Sequence, residues 1–63
     1  MTYYILYPRS LKIKVSIVTK RPSWKTVKDN YGFAEGPFKN LKQVKRRLNQ
    51  MNIPNKRRPK NVI

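Results

Sequence analysis

The sequence predicts a small α+β domain, an antiparallel sheet of two to three strands with one C-terminal helix packed on a face (ββ(β)α). Residues 3–20 contain two strand-like runs separated by a short turn, and residues 41–51 carry apolar side chains at helical spacing. At 63 residues there is room for one domain. We expect it to span residues 1–53, with residues 54–63 as a flexible basic tail.

Two strands are predicted at the N-terminus. Residues 3–7, YYILY, are aromatic and β-branched, which favours extended structure, and residues 8–10 predict a turn. In residues 11–20, LKIKVSIVTK, apolar and polar side chains alternate, which is typical of a strand with one buried face. The short turn makes the two strands an antiparallel hairpin.

Residues 21–30 predict a loop with a short extended piece, because Pro22 ends the second strand and only Trp24 and Val27 are apolar anchors. Residues 31–35, YGFAE, predict a short third strand that ends at the following Gly-Pro pair.

A helix of about three turns is predicted next, with Asn40 as its N-cap. Its single apolar stripe comprises Leu41, Val44, Leu48 and Met51. The helix should stop before Pro54, since the residue before a proline avoids the helical region. The predicted core consists of Ile5 or its strand neighbours, Leu11, Ile13, Val15, Ile17, Trp24, Phe33, Phe38, Leu41, Val44 and Leu48.

Charge is the strongest signal for function. The chain has 16 Lys and Arg residues against two acids, Asp29 and Glu35, and a net charge of +14. An unneutralised excess of this kind destabilises the compact state of a small domain, so we expect an external polyanion to neutralise it. Nucleic acid, either DNA or RNA, is the commonest such partner. An anionic membrane surface, an acidic protein and an anionic glycan are the alternatives.

Candidate nucleic-acid contacts fall on the second strand and its end, on the outer helix face and on the tail. They are Lys12, Lys14, Lys20, Arg21, Lys42, Lys45, Arg46, Arg47, Lys56, Arg57 and Arg58. Each group also has a simpler interpretation. Strand lysines protect a sheet edge from aggregation, a charged helix face is solvated, and a basic tail keeps a chain soluble. Trp24 is either a stacking residue or part of the core, and the core is favoured.

Catalysis is not expected. The chain has no histidine and no cysteine, which excludes disulfides and the usual zinc-ligand sets, and two isolated acids cannot form a recognisable metal site. It has neither a Gly-rich phosphate loop nor a nucleophile motif, so we expect no enzyme activity, metal or cofactor. The N-terminus lacks the features of a signal peptide, and no apolar run is long enough to span a membrane. The predicted location is cytoplasmic, in the host cytoplasm or nucleoid if the gene is viral.

The corner formed by residues 36–40, GPFKN, before a helix with Val44 and Leu48 resembles the AP2 and integrase arm-type DNA-binding module. In that family a three-stranded sheet ends in a glycine, a spacer and an aromatic residue before the packing helix. The resemblance covers residues 31–48, and Val44 stands where the family usually has alanine. It implies that the sheet enters the DNA groove, which favours Lys12 and Lys14 as contacts.

The same corner is similar to the second half of the SPOR repeat, a glycan-strand binder of bacterial cell division. A SPOR domain needs a helix between its first two strands, and the predicted turn at residues 8–10 leaves no room for one. The comparison with the DNA-binding module is therefore favoured.

Together these features predict a small non-enzymatic nucleic-acid-binding protein that contacts phosphates electrostatically through its sheet face, helix face and tail. Its size and composition suit a regulator from a phage or mobile element. The alternative is a basic protein-binding module that docks on an acidic surface of a host polymerase, nuclease or ribosomal factor and inhibits or redirects it. Trp24 and the exposed hairpin edge would then be the contacts.

Overall fold

A computed structural model describes residues 1–63, apart from the side chain of Asn30. The strands are β1 (Tyr3–Pro8), β2 (Ser16–Val18) and β3 (Tyr31–Phe38), and the helices are α1 (Trp24–Asn30) and α2 (Leu41–Gln50). Two 3-10 turns, Asn55–Arg57 and Lys60–Val62, follow. All strand pairs are antiparallel, in the order β2-β1-β3. The predicted α+β class and the three-stranded sheet are confirmed, and a second helix is present.

The β1–β3 pairing contains two irregularities, both at glycines. Tyr7 pairs with Phe33 and Pro8 with Tyr31, so Gly32 is the extra residue of a bulge. Gly36 and Pro37 together lie opposite the single residue Tyr4. The strand therefore continues past the Gly-Pro pair that was predicted to end it, and reaches Phe38.

The core lies between the sheet and α2. It consists of Ile5, Tyr7, Val15, Val44, Leu48, Ile53 and Val62. Tyr3, Ile17, Phe38, Leu41 and Met51 are partly buried and pack against it. The predicted core positions of Ile5, Val15, Val44 and Leu48 are thus confirmed. The helix period places Val44 and Leu48 on the same face of α2, whereas Val15 lies in the loop before β2.

Both ends of α2 are capped. Asn40 is the predicted N-cap, whereas the prediction for the other end was only that the helix stops before Pro54. The side chain of Asn40 accepts a hydrogen bond from the backbone N–H of Gln43 at 2.9 Å. At the other end, Asn52 has a φ of 57°, and the N–H of Ile53 donates to the carbonyl of Leu48 at 3.1 Å. This is a Schellman motif, completed by the burial of both Ile53 and Leu48.

The predicted second strand is mostly a loop. Only Ser16–Val18 pairs with β1, while Leu11 and Ile13 are exposed, so their assignment to the core was wrong. Pro8 explains the early end of the ladder, because proline has no N–H to donate to a partner strand. The N–H of Val15 bonds instead to the carbonyl of Arg57 at 2.9 Å.

The predicted loop at residues 21–30 is also wrong, since it contains α1. Ser23 caps this helix, with its hydroxyl accepting from the N–H of Thr26 at 3.2 Å. Arg9 fixes the far end by donating to the carbonyls of Lys28 and, at 3.3 Å, Tyr31. Trp24 begins the helix and is 78% exposed, so it is not a core residue.

Phe33 is likewise exposed rather than in the core, although its ring stacks on Tyr7 with the centroids 4.4 Å apart.

The segment 54–63 packs against the domain and is not a free tail. Val62 is only 1% exposed, and the Nε of buried Arg58 donates to the carbonyl of Ile53 at 2.8 Å. The segment was predicted to be a tail because most of its residues are basic or polar, and the contribution of its buried apolar residue, Val62, was not recognised.

Candidate nucleic-acid interface

The fold uses its arginines and lysines differently. Four of the six arginines donate side-chain hydrogen bonds to other described residues, namely Arg9, Arg47, Arg57 and Arg58. All ten lysines are exposed, and none of their ammonium groups has a partner within the described residues. A guanidinium presents five donors in a fixed geometry, which suits backbone carbonyls, whereas an ammonium is compact and strongly hydrated. Lysine therefore supplies most of the charge left for an outside anion.

One of the two acids, Glu35, is bonded to two side chains of the same chain. Arg47 contacts both oxygens of Glu35, with Nη2 at 2.8 Å and Nε at 2.9 Å from Oε2. The hydroxyl of Tyr7 donates to Oε1 at 2.5 Å. The bonds from Arg47 hold the pKa of Glu35 below its usual value, while burial and then the bond to Glu35 raise the pKa of Tyr7. Arg47, predicted as a nucleic-acid contact, is thus committed to an internal ion pair.

The loop between β1 and β2 is held against the turn Asn55–Arg57. Besides the bond between Val15 and Arg57, the Nε of Arg57 donates to the carbonyl of Ile13 at 3.4 Å. Within the loop, the N–H of Ile13 bonds to the carbonyl of Ser10 at 3.4 Å. These contacts give the loop a defined shape although it is not part of the sheet.

These bonds hold the two segments that carry two of the predicted groups next to each other. Lys12 and Lys14 flank Ile13 on the loop, and Lys56 precedes Arg57 on the turn. We call these four residues, Lys12, Lys14, Lys56 and Arg57, the loop patch. Their predicted placement on a sheet face and on a free tail was wrong, since both segments lie outside the strands and in contact with each other.

The outer face of α2 forms a second basic surface. Lys42, Lys45 and Arg46 are exposed, while Val44 and Leu48 on the same helix are buried. Asn49 and Gln50 are also exposed, and the helix contains no acid. The predicted amphipathic arrangement is present, with three cations facing water.

A third feature is an open groove of about 480 Å³ beside α1 and β3. It is lined by Tyr4, Arg21, Pro22, Trp24, Val27 and the consecutive β3 residues 32–36. The exposed Lys20 precedes Arg21 on the segment that connects β2 to α1. The groove itself and the place of Tyr4 in it were not predicted, while Trp24 had been named as a possible stacking residue. Ser23, a potential N-cap, was the signal in the sequence that a helix begins beside the groove.

Three of the predicted contact residues, Arg47, Arg57 and Arg58, form hydrogen bonds to other residues of the fold. Arg58 is 6% exposed and Arg47 is paired, so neither is retained in the proposed interface. Arg57 is partly buried, but it stays at the surface of the loop patch. The exposed predicted residues are Lys12, Lys14, Lys20, Arg21, Lys42, Lys45, Arg46 and Lys56.

Comparisons of the chain with protein-family models, with curated proteins and with solved structures gave no match. In the part of the chain that the structure describes, neither helix is long and apolar enough to cross a membrane. The described side chains also include no cluster of three or more His, Cys, Asp or Glu suited to a metal ion. Charge and geometry therefore carry the functional proposal.

Proposed function

We propose that the protein is a small non-enzymatic nucleic-acid-binding protein that holds the phosphate backbone of DNA or RNA mainly by electrostatic contacts. The observation that supports it is the exposure of all ten lysines without a partner among the described residues. Holding this charge on a compact 63-residue domain is unfavourable unless an anion neutralises it.

Affinity arises chiefly from the release of counterions that condense on the nucleic acid. If about 6–8 phosphates are neutralised, log K should fall against log salt concentration with a slope of roughly −5 to −7. Contacts to phosphates carry no sequence information, so a protein that binds mainly through them discriminates only weakly between sequences. Asn49 and Gln50 on α2 are the side chains with amides suited to base edges.

The loop patch supports the proposal more specifically. Lys12, Lys14 and Lys56 come from opposite ends of the chain, yet the bonds of Arg57 hold their segments together. Adjacent like charges repel, so this arrangement is unfavourable for folding in isolation and favourable once a polyanion binds. The exposed cations of α2 add a second contact surface.

Binding of labelled duplex DNA, single-stranded DNA and structured RNA, measured over a range of salt concentrations, tests the proposal. Lys12→Glu combined with Lys14→Glu tests the loop patch, and Lys42→Glu combined with Arg46→Glu tests the α2 face. Lys28→Glu combined with Lys39→Glu is the matched control, because it changes net charge equally on exposed residues outside both surfaces.

We expect each test pair to weaken binding several-fold more than the control pair and to flatten the salt dependence. Equal effects from all three pairs would show a diffuse attraction to charge rather than contact through either surface. Failure of the wild-type protein to bind any of these nucleic acids in dilute buffer would overturn the proposed function.

A second candidate, a module that binds an acidic protein surface, is favoured by one observation. The large apolar side chains of Trp24 and Leu11 are exposed next to cations, as is common in protein interfaces. Pull-down from lysate with and without nuclease separates the candidates. Material that is lost after nuclease treatment indicates nucleic acid, whereas a stoichiometric acidic protein that is retained supports the alternative.

A further inference from the structure

We propose that the groove beside α1 and β3 binds an unpaired nucleotide, so that the protein prefers single-stranded nucleic acid to a duplex. This inference rests on the proposed function and makes it specific, because it names the strand type and the residue that reads it. The groove volume, about 480 Å³, lies within the range of about 300–1,000 Å³ that is usual for ligand pockets.

The groove has an aromatic wall available to a ligand. Trp24 lines it while remaining 78% exposed, so most of its indole surface is free to be covered. Tyr4 lines the same groove and is held in place by the close approach of Gly36. Stacking of a base on such a side chain contributes about 1–3 kcal/mol and tolerates any base, because every base has a π-face.

The edge of β3 forms the other wall. Successive side chains of a strand alternate between faces, so a lining of five consecutive residues, 32–36, means that the backbone itself borders the groove. β3 is an edge strand, so the N–H and C=O groups along its outer side are not used by the sheet. Gly32 has no side chain to cover the backbone, which favours close approach of a ligand there, whereas the space beside Gly36 is filled by the ring of Tyr4.

The charges around the groove favour an anionic ligand. Arg21 lines it and has no hydrogen-bond partner within the described chain, and Lys20 and Lys25 are exposed neighbours in sequence. Glu35 also contributes to the lining, but its carboxylate is neutralised by Arg47 and accepts a bond from Tyr7. A phosphate beside Arg21 therefore meets no uncompensated negative charge from this strand.

Strand type follows from access to the base. In a duplex the faces of the bases are covered by their neighbours and the edges are paired, so a base cannot lie flat on Trp24 without being extruded. In a single strand the base is free to enter while its phosphate remains at the rim. The lysine surfaces described above bind either form, and the groove adds affinity for the unpaired one.

Trp24 is the only tryptophan of the chain, which makes its fluorescence a direct probe of the groove. We expect a short oligothymidylate to quench this fluorescence on binding, while a duplex with the same number of phosphates binds with little quenching. Trp24→Ala should weaken binding of the labelled oligothymidylate about 5- to 150-fold and leave duplex binding nearly unchanged. Trp24→Phe should keep most of the affinity, because a stacking ring remains.

Ile63→Ala is the matched control, since it removes an exposed apolar side chain outside the groove. Because Trp24 is exposed, its variants should fold, and circular dichroism is the independent check of their folding. If wild-type protein binds both probes but Trp24→Ala weakens neither, the groove inference is overturned while the proposed function stands. If neither probe binds in dilute buffer, both fail. If only an acidic peptide quenches Trp24, the groove is a protein-binding site and the inference is wrong.

Discussion

The backbone N–H of Val15 donates to the carbonyl oxygen of Arg57 at 2.9 Å, joining the loop after β1 to the turn after α2. Val15 is buried in the same cluster as Val62, close to the C-terminus. The C-terminal segment therefore closes one side of the core, and it fixes the loop that carries Lys12 and Lys14. Stability and the proposed interface consequently depend on the same ten residues, 54–63.

The first prediction concerns the anchor of that segment. Val62→Ala should lower the free energy of unfolding by about 2 kcal/mol, because the side chain is 1% exposed and its loss leaves a cavity. Urea denaturation measures this change. Ile63→Ala, next to it but half exposed, should change stability by less than about 0.5 kcal/mol. Similar values for both variants would mean that the C-terminus does not pack as described.

The second prediction is a pH dependence that originates at Glu35. Arg47 lowers the pKa of this carboxyl in the folded protein, so the unfolded chain binds the proton more readily. The stabilisation is therefore complete above the unfolded pKa and is lost as the pH falls through the lower folded value. We expect Glu35→Gln to be less stable than wild type at neutral pH, with a difference that shrinks below about pH 4.

Denaturation measured across this pH range, with Asp29→Asn as the control, checks the second prediction. Asp29 is exposed and has no ion pair in the described structure, so its variant should lose less stability at neutral pH. A loss for Glu35→Gln that stays constant down to strongly acidic pH would contradict the proposed role of the Arg47 pair.

The third prediction compares two glycines of β3. Gly36 has a φ of +147°, and a Cβ on it would lie 2.5 Å from Cδ1 of Tyr4. Gly36→Ala should therefore destabilise the protein by about 2 kcal/mol or more. At Gly32 the nearest atom, the carbonyl oxygen of Tyr7, would be 3.6 Å away, an ordinary contact. Gly32→Ala should cost less than about 1 kcal/mol, and thermal unfolding of the two variants provides the comparison.

The fourth prediction tests the end of α2. Asn52 has a φ of 57°, a conformation that costs most residues with a Cβ about 1–2 kcal/mol, whereas glycine adopts it freely and asparagine more readily than alanine because its side chain can hydrogen-bond locally. Asn52→Ala should lower stability by about 1 kcal/mol, and Asn52→Gly should leave it within about 0.5 kcal/mol of wild type. Chemical denaturation distinguishes these outcomes. A glycine variant as unstable as the alanine variant would show that the Asn52 side chain, rather than the backbone, stabilises the turn.

The elements that were predictable from sequence are those whose signals are local. Asn40, the apolar stripe of α2 and the pre-proline stop all lie within one helix, and the helix appears at the predicted place. The alternation of residues 11–20 failed as a signal because a strand also needs a partner. Pro8 ends that partner strand, and the N–H of Val15 bonds elsewhere.

Tertiary contacts account for the remaining differences. Trp24 was favoured as a core residue, with base stacking as the alternative, whereas Ser23 starts a helix that turns it outward. For the candidate interface, the sequence alone does not distinguish a cation that is bonded within the fold from one that is free to contact an anion. Only the folded chain shows that Arg57 and Arg58 find acceptors in the carbonyls of Ile13 and Ile53, and that no lysine does so within the described residues.

The guanidinium groups form hydrogen bonds that stabilise the fold, whereas no ammonium group does so among the described residues. Most of the positive charge can therefore be removed chemically without breaking these bonds. A reagent or enzyme that acylates amines would remove most of the positive charge and leave the Arg57–Ile13 and Arg58–Ile53 bonds intact. Loss of the ten lysine charges would lower the net charge from +14 to +4 while the folded chain keeps these bonds.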